Sequence, residues 1–222
     1  MVGGPVRPSN TKVVIGSVAR EALAAPLTRS PVATALLRTP ARAPTVLYAE
    51  DNIGLQAMLR LRNVDREAKM QLIEQFGGSE ETLETVNRSL QWIVSQQHED
   101  GRWDFKKLRD IDGKTPSRPG GTDAEAAATA FGLLPLLGNG NTHQKGPYKD
   151  HVQRGVQWLL KTQQGSGEFK RPRTTNARMY SHGVAAIAIC EAYAMSGDAA
   201  LKAPAQKAID FIVKSQHKKL GG

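Results

Sequence analysis

One stretch of this chain returns twice, and that recurrence limits the possible folds more than any single residue does. Arg88-Ser89-Leu90-Gln91-Trp92-Ile93 runs on to Gln97, an Asp100-Gly101 turn and Trp103. Sixty-six residues later stand Arg154, Trp158 and Gln163, followed by Gly167 and Phe169. Fifty-three residues beyond that stand Lys207, Phe211 and Gln216. Three copies at such spacings mark a repeat protein, in which each unit buries its apolar face against its neighbours.

Each copy is helical in pattern. Val86, Leu90, Ile93 and Val94 form one apolar stripe; Val152, Val156, Leu159 and Leu160 form a second; Ala205, Ile209, Ile212 and Val213 form a third. These predict amphipathic helices over about 80–97, from near Pro147, and over about 203–216. Ser79 is a suitable N-cap for the first, with Glu80 and Glu81 in the first turn, but Thr82 at the third position breaks the reciprocal capping box. Between the stripes lie segments that are apolar on nearly every side, Ala124–Leu134 and about Tyr180–Met195. A helix of that kind is a buried one. Thr122 and Glu125 predict a capping box for the first; Pro135 predicts a kink in its last turn, and Gly138-Asn139-Gly140 its end. Ala127–Ala130 matches Ala185–Ala188 at a spacing of 58, with small residues that let the two helices approach closely. Gly- and Pro-bearing segments over 98–121 and 164–177 read as long loops. Amphipathic and all-apolar helices in alternation give outer and inner layers: an all-α fold, an α/α toroid that is partial or open.

The N-terminal part reads differently. Residues 1–50 form a basic leader or linker rich in Pro, Ala and Arg, without a stable fold beyond a short helix around Val14–Leu23. The repeat domain occupies 51–222 and opens with a helical pattern through Leu55, Met58, Leu59 and Leu61, continued by Met70, Leu72, Ile73 and Phe76 until Gly77-Gly78. Of the net charge of +9, residues 1–49 supply +5, so the basic character belongs mostly to the tail and no nucleic-acid partner is expected. The single cysteine, Cys190, excludes an internal disulfide and is compatible with a reducing compartment. No apolar run reaches the roughly 18–20 residues of a membrane span, and no clear signal peptide is present.

In each copy the Gln falls at the end of an outer helix, where the last carbonyls lack intrahelical partners. Its amide can donate there and also accept from the adjoining turn, while the Gly permits the reversal and the Trp or Phe covers it. Trp92, Gln97, Gly101, Trp103, Trp158, Gln163, Gly167, Phe169 and Gln216 are therefore read as a structural clamp. The pattern of basic, small, aromatic and aliphatic residues followed by Gln, Gly and Trp resembles the QW motif of the squalene cyclase and prenyltransferase repeat superfamily. Arg88, Ser89, Trp92, Ile93, Gln97, Asp100, Gly101 and Trp103 match it; the second copy departs at Ser166 and Phe169, and the third stops after Gln216. The resemblance covers about 79–222. More narrowly, Gln71–Trp103 and Met179-Tyr180-Ser181-His182-Gly183 look like uncharacterised cyclase-repeat proteins of planctomycete-type bacteria.

The resemblance implies where a cyclase acid would stand. The squalene–hopene family presents Asp-x-Asp-Asp-Thr-Ala at the start of an inner helix, whereas this chain has Glu125-Ala126-Ala127-Ala128-Thr129-Ala130. Alanine cannot donate the proton that opens such a cyclisation. A prenyltransferase-type zinc site is not expected either: Cys190 and His182 lie eight residues apart on one helix, about 12 Å along its axis. No metal or cofactor is implied. Asp123, Glu125 and His182, with Thr122, Tyr180 and Ser181, would share one rim, His182 as a base oriented by an acid; helix capping by Thr122 and Ser181 is the competing reading. Two functions follow. One is a non-catalytic scaffold that binds a protein, glycan or isoprenoid-type ligand, self-association included. The other is a toroid-class enzyme, cyclase-like or lyase-like, with its site at the Asp123/His182 rim. Two and a half inner–outer pairs are too few for a closed ring, so a fragment or an open arc is expected.

Overall fold

A computed structural model of the chain describes residues 59, 62, 66–109, 120–173 and 177–217. The chain divides between Arg42 and Ala43, and every described residue belongs to the second unit. The expected leader over 1–50, its short helix, and most of the Leu55–Leu61 pattern lie outside the described residues.

Among the described residues all regular structure is helical. Helix α1 spans Arg66–Gln75, α2 Glu80–Ser95, α3 Glu125–Gly138, α4 Lys149–Thr162, α5 Arg178–Ser196 and α6 Ala199–Ser215, with a 3-10 turn at Phe105–Lys107. The two all-apolar helices, α3 and α5, pack on each other more extensively than any other pair. Helices α2 and α4 lie against α3, and α6 lies against α5, so each inner helix is backed by amphipathic outer ones. Leu133, Leu136, Leu159, Ile189, Ala205 and Ala208 fill the space between the layers.

The local signals located the helices, and the departures lie at their ends. At α2 the backbone N–H of Ser79 donates to Thr82 Oγ1 (3.2 Å), so a threonine hydroxyl reaches back where a Glu or Gln was thought necessary. At α3 the predicted Thr122 box is absent: the helix begins at Glu125 behind Ala124, with no side-chain cap of its own. The cap comes from the neighbouring helix. Ser181 Oγ, in the first turn of α5, accepts the N–H of Ala127, one of the α3 donors without an intrahelical partner. Helix α3 continues through Pro135 to Gly138. Helix α6 starts four residues earlier than expected, because Asp198 caps it by accepting the N–H of Ala200 (2.9 Å).

The inner helices are not buried on every side. Phe131 is 42% exposed, Ile187 56% and Tyr180 61%, all on the face of α3 and α5 turned away from the outer layer. All-round apolarity predicts burial only where other elements surround a helix, and here one side stays open.

Candidate functional site

The first clamp is built on the end of α2. Gln97 Nε2 donates to the carbonyls of Gly101 (2.9 Å) and His151 (3.0 Å), joining its own turn to the start of α4. With both amide hydrogens so used, Oε1 is the acceptor, which makes His151 Nδ1 (2.7 Å) and Arg154 Nη2 (2.9 Å) donors to it. Four partners saturate the amide. Gly101 has φ +96°, and a Cβ there would run into the Arg154 carbonyl. Trp103 then turns inward, its backbone N–H on Thr129 Oγ1 (3.2 Å) and its indole Nε1 on the Ile93 carbonyl (2.7 Å).

The second clamp repeats this plan with other chemistry. Gln163 Nε2 donates to Gly167 (3.1 Å) and Pro204 (3.0 Å), and a Cβ on Gly167 (φ +92°) would strike the Lys207 carbonyl. The Phe169 N–H donates to His182 Nδ1 (3.3 Å), whose Nε2 donates to the Ala208 carbonyl (3.0 Å). Thr129 and His182 thus hold one structural position, which sets the inner-helix register at 53 rather than the 58 read from the alanine runs. The ends explain the discrepancy: α3 and α5 start 53 residues apart, at Glu125 and Arg178, and end 58 apart, at Gly138 and Ser196. The alanine match followed the ends and missed the starts.

In the true register the two units compensate for one another's differences. Trp103 lies against Gly132, where a Cβ would overlap the indole, and against Gly155, where a Cβ would come to 3.0 Å of Cζ3. In the second unit the smaller Phe169 goes with Ala185 and Ala208, both fully buried. Charges behave likewise. Arg102 Nε faces Glu125 Oε1 at 3.5 Å; 66 and 53 residues on, Glu168 faces Arg178, the same pair with its signs exchanged. Glu168 is 1% exposed and also receives Arg171 Nε at 2.7 Å. Burial pushes its carboxyl pKa up, but the hydrogen bonds from Arg178 and Arg171 outweigh that and hold it below the usual range.

The remaining predicted residues sort as follows. Glu125 pairs with Lys170 as well as Arg102, and Asp123 Oδ2 lies 3.6 Å from Arg173 Nε. His182 is buried between the rings of Phe169 (5.5 Å) and Phe211 (4.7 Å) with both nitrogens engaged, and burial lowers its pKa. Tyr180, on the same turn of α5, is exposed near Phe131. Trp158 is buried with Lys170 Nζ 5.7 Å from its ring centre, Trp92 donates from the surface to the Arg109 carbonyl (3.2 Å), and Gln216 is exposed beyond α6. Cys190 is pushed up to about 11 by burial, out of thiolate range. Among the described residues no group of three His, Cys, Asp or Glu comes together as a metal site. No described helix is long and apolar enough to cross a membrane.

Sequence reasoning missed a small hollow of about 120 Å3 between α2, the Trp103–Leu108 loop and α3. Trp92, Trp103, Phe105 and Phe131 form its walls, with Ala128 and Gly132 at its base. Asp104, nearly buried, is the acid on its lining; its Oδ1 accepts the Lys106 N–H (2.9 Å). Glu168 was also missed, although its position 66 residues after Arg102 was a readable signal.

Comparison with known proteins agrees with this architecture. A stretch of 100 residues is 26% identical to protostadienol synthase A of Arthroderma gypseum, covering 45% of this chain and 13% of the fungal protein. The chain therefore spans a small part of that relative's length. No solved structure matches. Residues 68–183, more than half of the chain, match the squalene-hopene cyclase C-terminal domain, from the first turn of α1 through both inner-helix starts and the whole first clamp. The chain belongs to the squalene-hopene cyclase C-terminal domain family.

Proposed function

We propose that this unit is a non-catalytic binding module that grips one end of an apolar, isoprenoid-type ligand. The observation that carries the proposal is the pair Ala127 and Ala128, both buried, at the positions where the family places its proton-donating and adjacent acids. The acids nearby have other partners: Glu125 faces Lys170 and Arg102, and Asp123 faces Arg173. We read His182 in the same way, as the acceptor that positions Phe169. The aromatic hollow beside Ala128 supports binding of an apolar group, and its roughly 120 Å3 is well below the ~300–1,000 Å3 of an ordinary ligand pocket, enough for one end of a longer molecule.

Trp92 and Trp103 line the hollow and serve as reporters. Squalene presented in detergent micelles should quench their fluorescence saturably, and Phe131→Ala, which removes an exposed aromatic wall of the hollow, should weaken the effect at least several-fold. Product analysis after prolonged incubation should recover the squalene unchanged. Cyclic product that forms with the wild type and disappears in Asp104→Asn would sink the non-catalytic reading, because Asp104 would then be supplying the proton.

A further inference from the structure

Towards the other ends of α2 and α3 from the aromatic hollow, a second cavity of about 480 Å3 opens between α1, the first half of α2 and the 139–147 loop. Among the described residues its lining contains four cations, Arg62, Arg66, Lys69 and Lys145, and no carboxylate. Two of the four are neutralised from outside the cavity, Arg62 by Glu191 and Arg66 by Glu80. Lys69 and Lys145 have no carboxylate within 4 Å among the described residues. Among the described residues, then, these two positive charges of the cavity are uncompensated.

The loop that brings Lys145 to it is held in place rather than loose. Asn141, buried, donates from Nδ2 to the Leu136 carbonyl (3.0 Å) and accepts the Tyr148 N–H at Oδ1 (3.1 Å). Thr142, also buried, accepts the Gln144 and Lys145 N–H groups at 3.2 and 3.1 Å, and its own N–H donates to the Lys145 carbonyl (2.9 Å). From the other wall, Lys69 Nζ is steadied by Asn139 Oδ1 at 3.0 Å. Two ammonium groups on independently anchored backbones, with the Asn87 amide on the same lining, form a pre-set receptor for negative charge. The volume lies within the range of small-molecule sites and far exceeds a bare anion, and Leu83 and Pro147 add apolar wall.

We propose that this cavity binds an organic phosphomonoester: the dianion on Lys69 and Lys145, the organic part against Leu83 and Pro147. The test is calorimetry on the full chain with glucose 6-phosphate, inorganic phosphate and glucose. The sugar phosphate should bind more tightly than inorganic phosphate, and glucose should not bind. Affinity should fall as pH drops through about 6, where the ester loses its second charge. Lys69→Glu with Lys145→Glu should weaken binding at least tenfold, whereas Lys161→Glu, an exposed lysine on α4, should leave it unchanged. If circular dichroism shows the double variant unfolded, Lys145→Glu alone decides, since its side chain is on the surface. Vesicles of phosphatidic acid against vesicles of phosphatidylcholine separate the sources: retention on the first alone, with no uptake of the sugar phosphate, makes the ligand a lipid headgroup. Binding unaffected by the lysine reversals, or no binding of any phosphate probe at millimolar concentration, overturns the proposal.

Discussion

The two clamps place the same backbone in the same positions with opposite chemistry. In the first unit an acid, Glu125, opens the inner helix and the arginine comes from the loop; in the second an arginine, Arg178, opens the helix and the acid, Glu168, comes from the loop. These arrangements are not equal in energy. The N-terminus of a helix carries partial positive charge, so Glu125 is favoured there even with a long, 3.5 Å contact to Arg102. Arg178 is disfavoured at that end, and the second unit answers with a buried carboxylate shared between two arginines. Residue size shows the same coupling, Trp103 with Gly132 and Gly155 against Phe169 with Ala185 and Ala208. What the repeats share is a set of positions, and the residues filling them are constrained jointly.

The strongest way to break the comparison is at the glycines both units need. Gly101→Ala and Gly167→Ala each combine a left-handed backbone with a carbonyl in the way, and each should cost about 3 kcal/mol in chemical denaturation. Unequal losses would mean that one clamp carries the fold. Next comes size: Gly132→Ala should cost about 1–3 kcal/mol beside Trp103 and much less in a Trp103→Phe background, giving a coupling energy above about 1 kcal/mol in a double-mutant cycle. Additive effects would remove the compensation argument.

Charge tests are smaller. Glu168→Gln should lower stability by about 1–2 kcal/mol, because its arginine partners are partly exposed and regain water. Exchanging the pair as Glu168→Arg with Arg178→Glu, which copies the first unit, should recover part of that loss. The smallest effect is a pH dependence that both units share and to which His182 adds the second unit's part. The His182 pKa is lowered, so the unfolded chain takes up a proton more readily and stability declines as pH falls below about 6.5. Glu168, its pKa also lowered, keeps its contribution above the ordinary glutamate range and loses it only as pH falls further, through its depressed folded value. Unfolding midpoints measured from pH 7.5 to 3 should therefore show two declines, the upper one smaller in His182→Asn, with His98 and His151 of the first unit, whose pKa values burial also lowers, supplying the remainder. Thr129, which does the same work in the first unit, cannot titrate.

The repeat, the alternation of outer and inner helices, the long loops and the family resemblance were all legible in the residues. They depend on periodicity and on short-range stereochemistry: an apolar stripe, a Gly before a reversal, a Gln near a helix end. The missing acids were legible too, since Ala127 and Ala128 are read directly off the chain. The inner-helix register was not, because an alanine run matches any other alanine run and the two helices differ in length at one end only. Ser181 capping α3 from the next helix, and Lys69 meeting Lys145 across a cavity, pair residues 54 and 76 positions apart that no periodicity links. Such pairs exist only after the layers have packed, when a donor left over at one helix end meets whatever polar atom its neighbour presents. Residue patterning determined the architecture of this chain; contact between the layers decided which of its polar residues have partners and which remain available to a ligand.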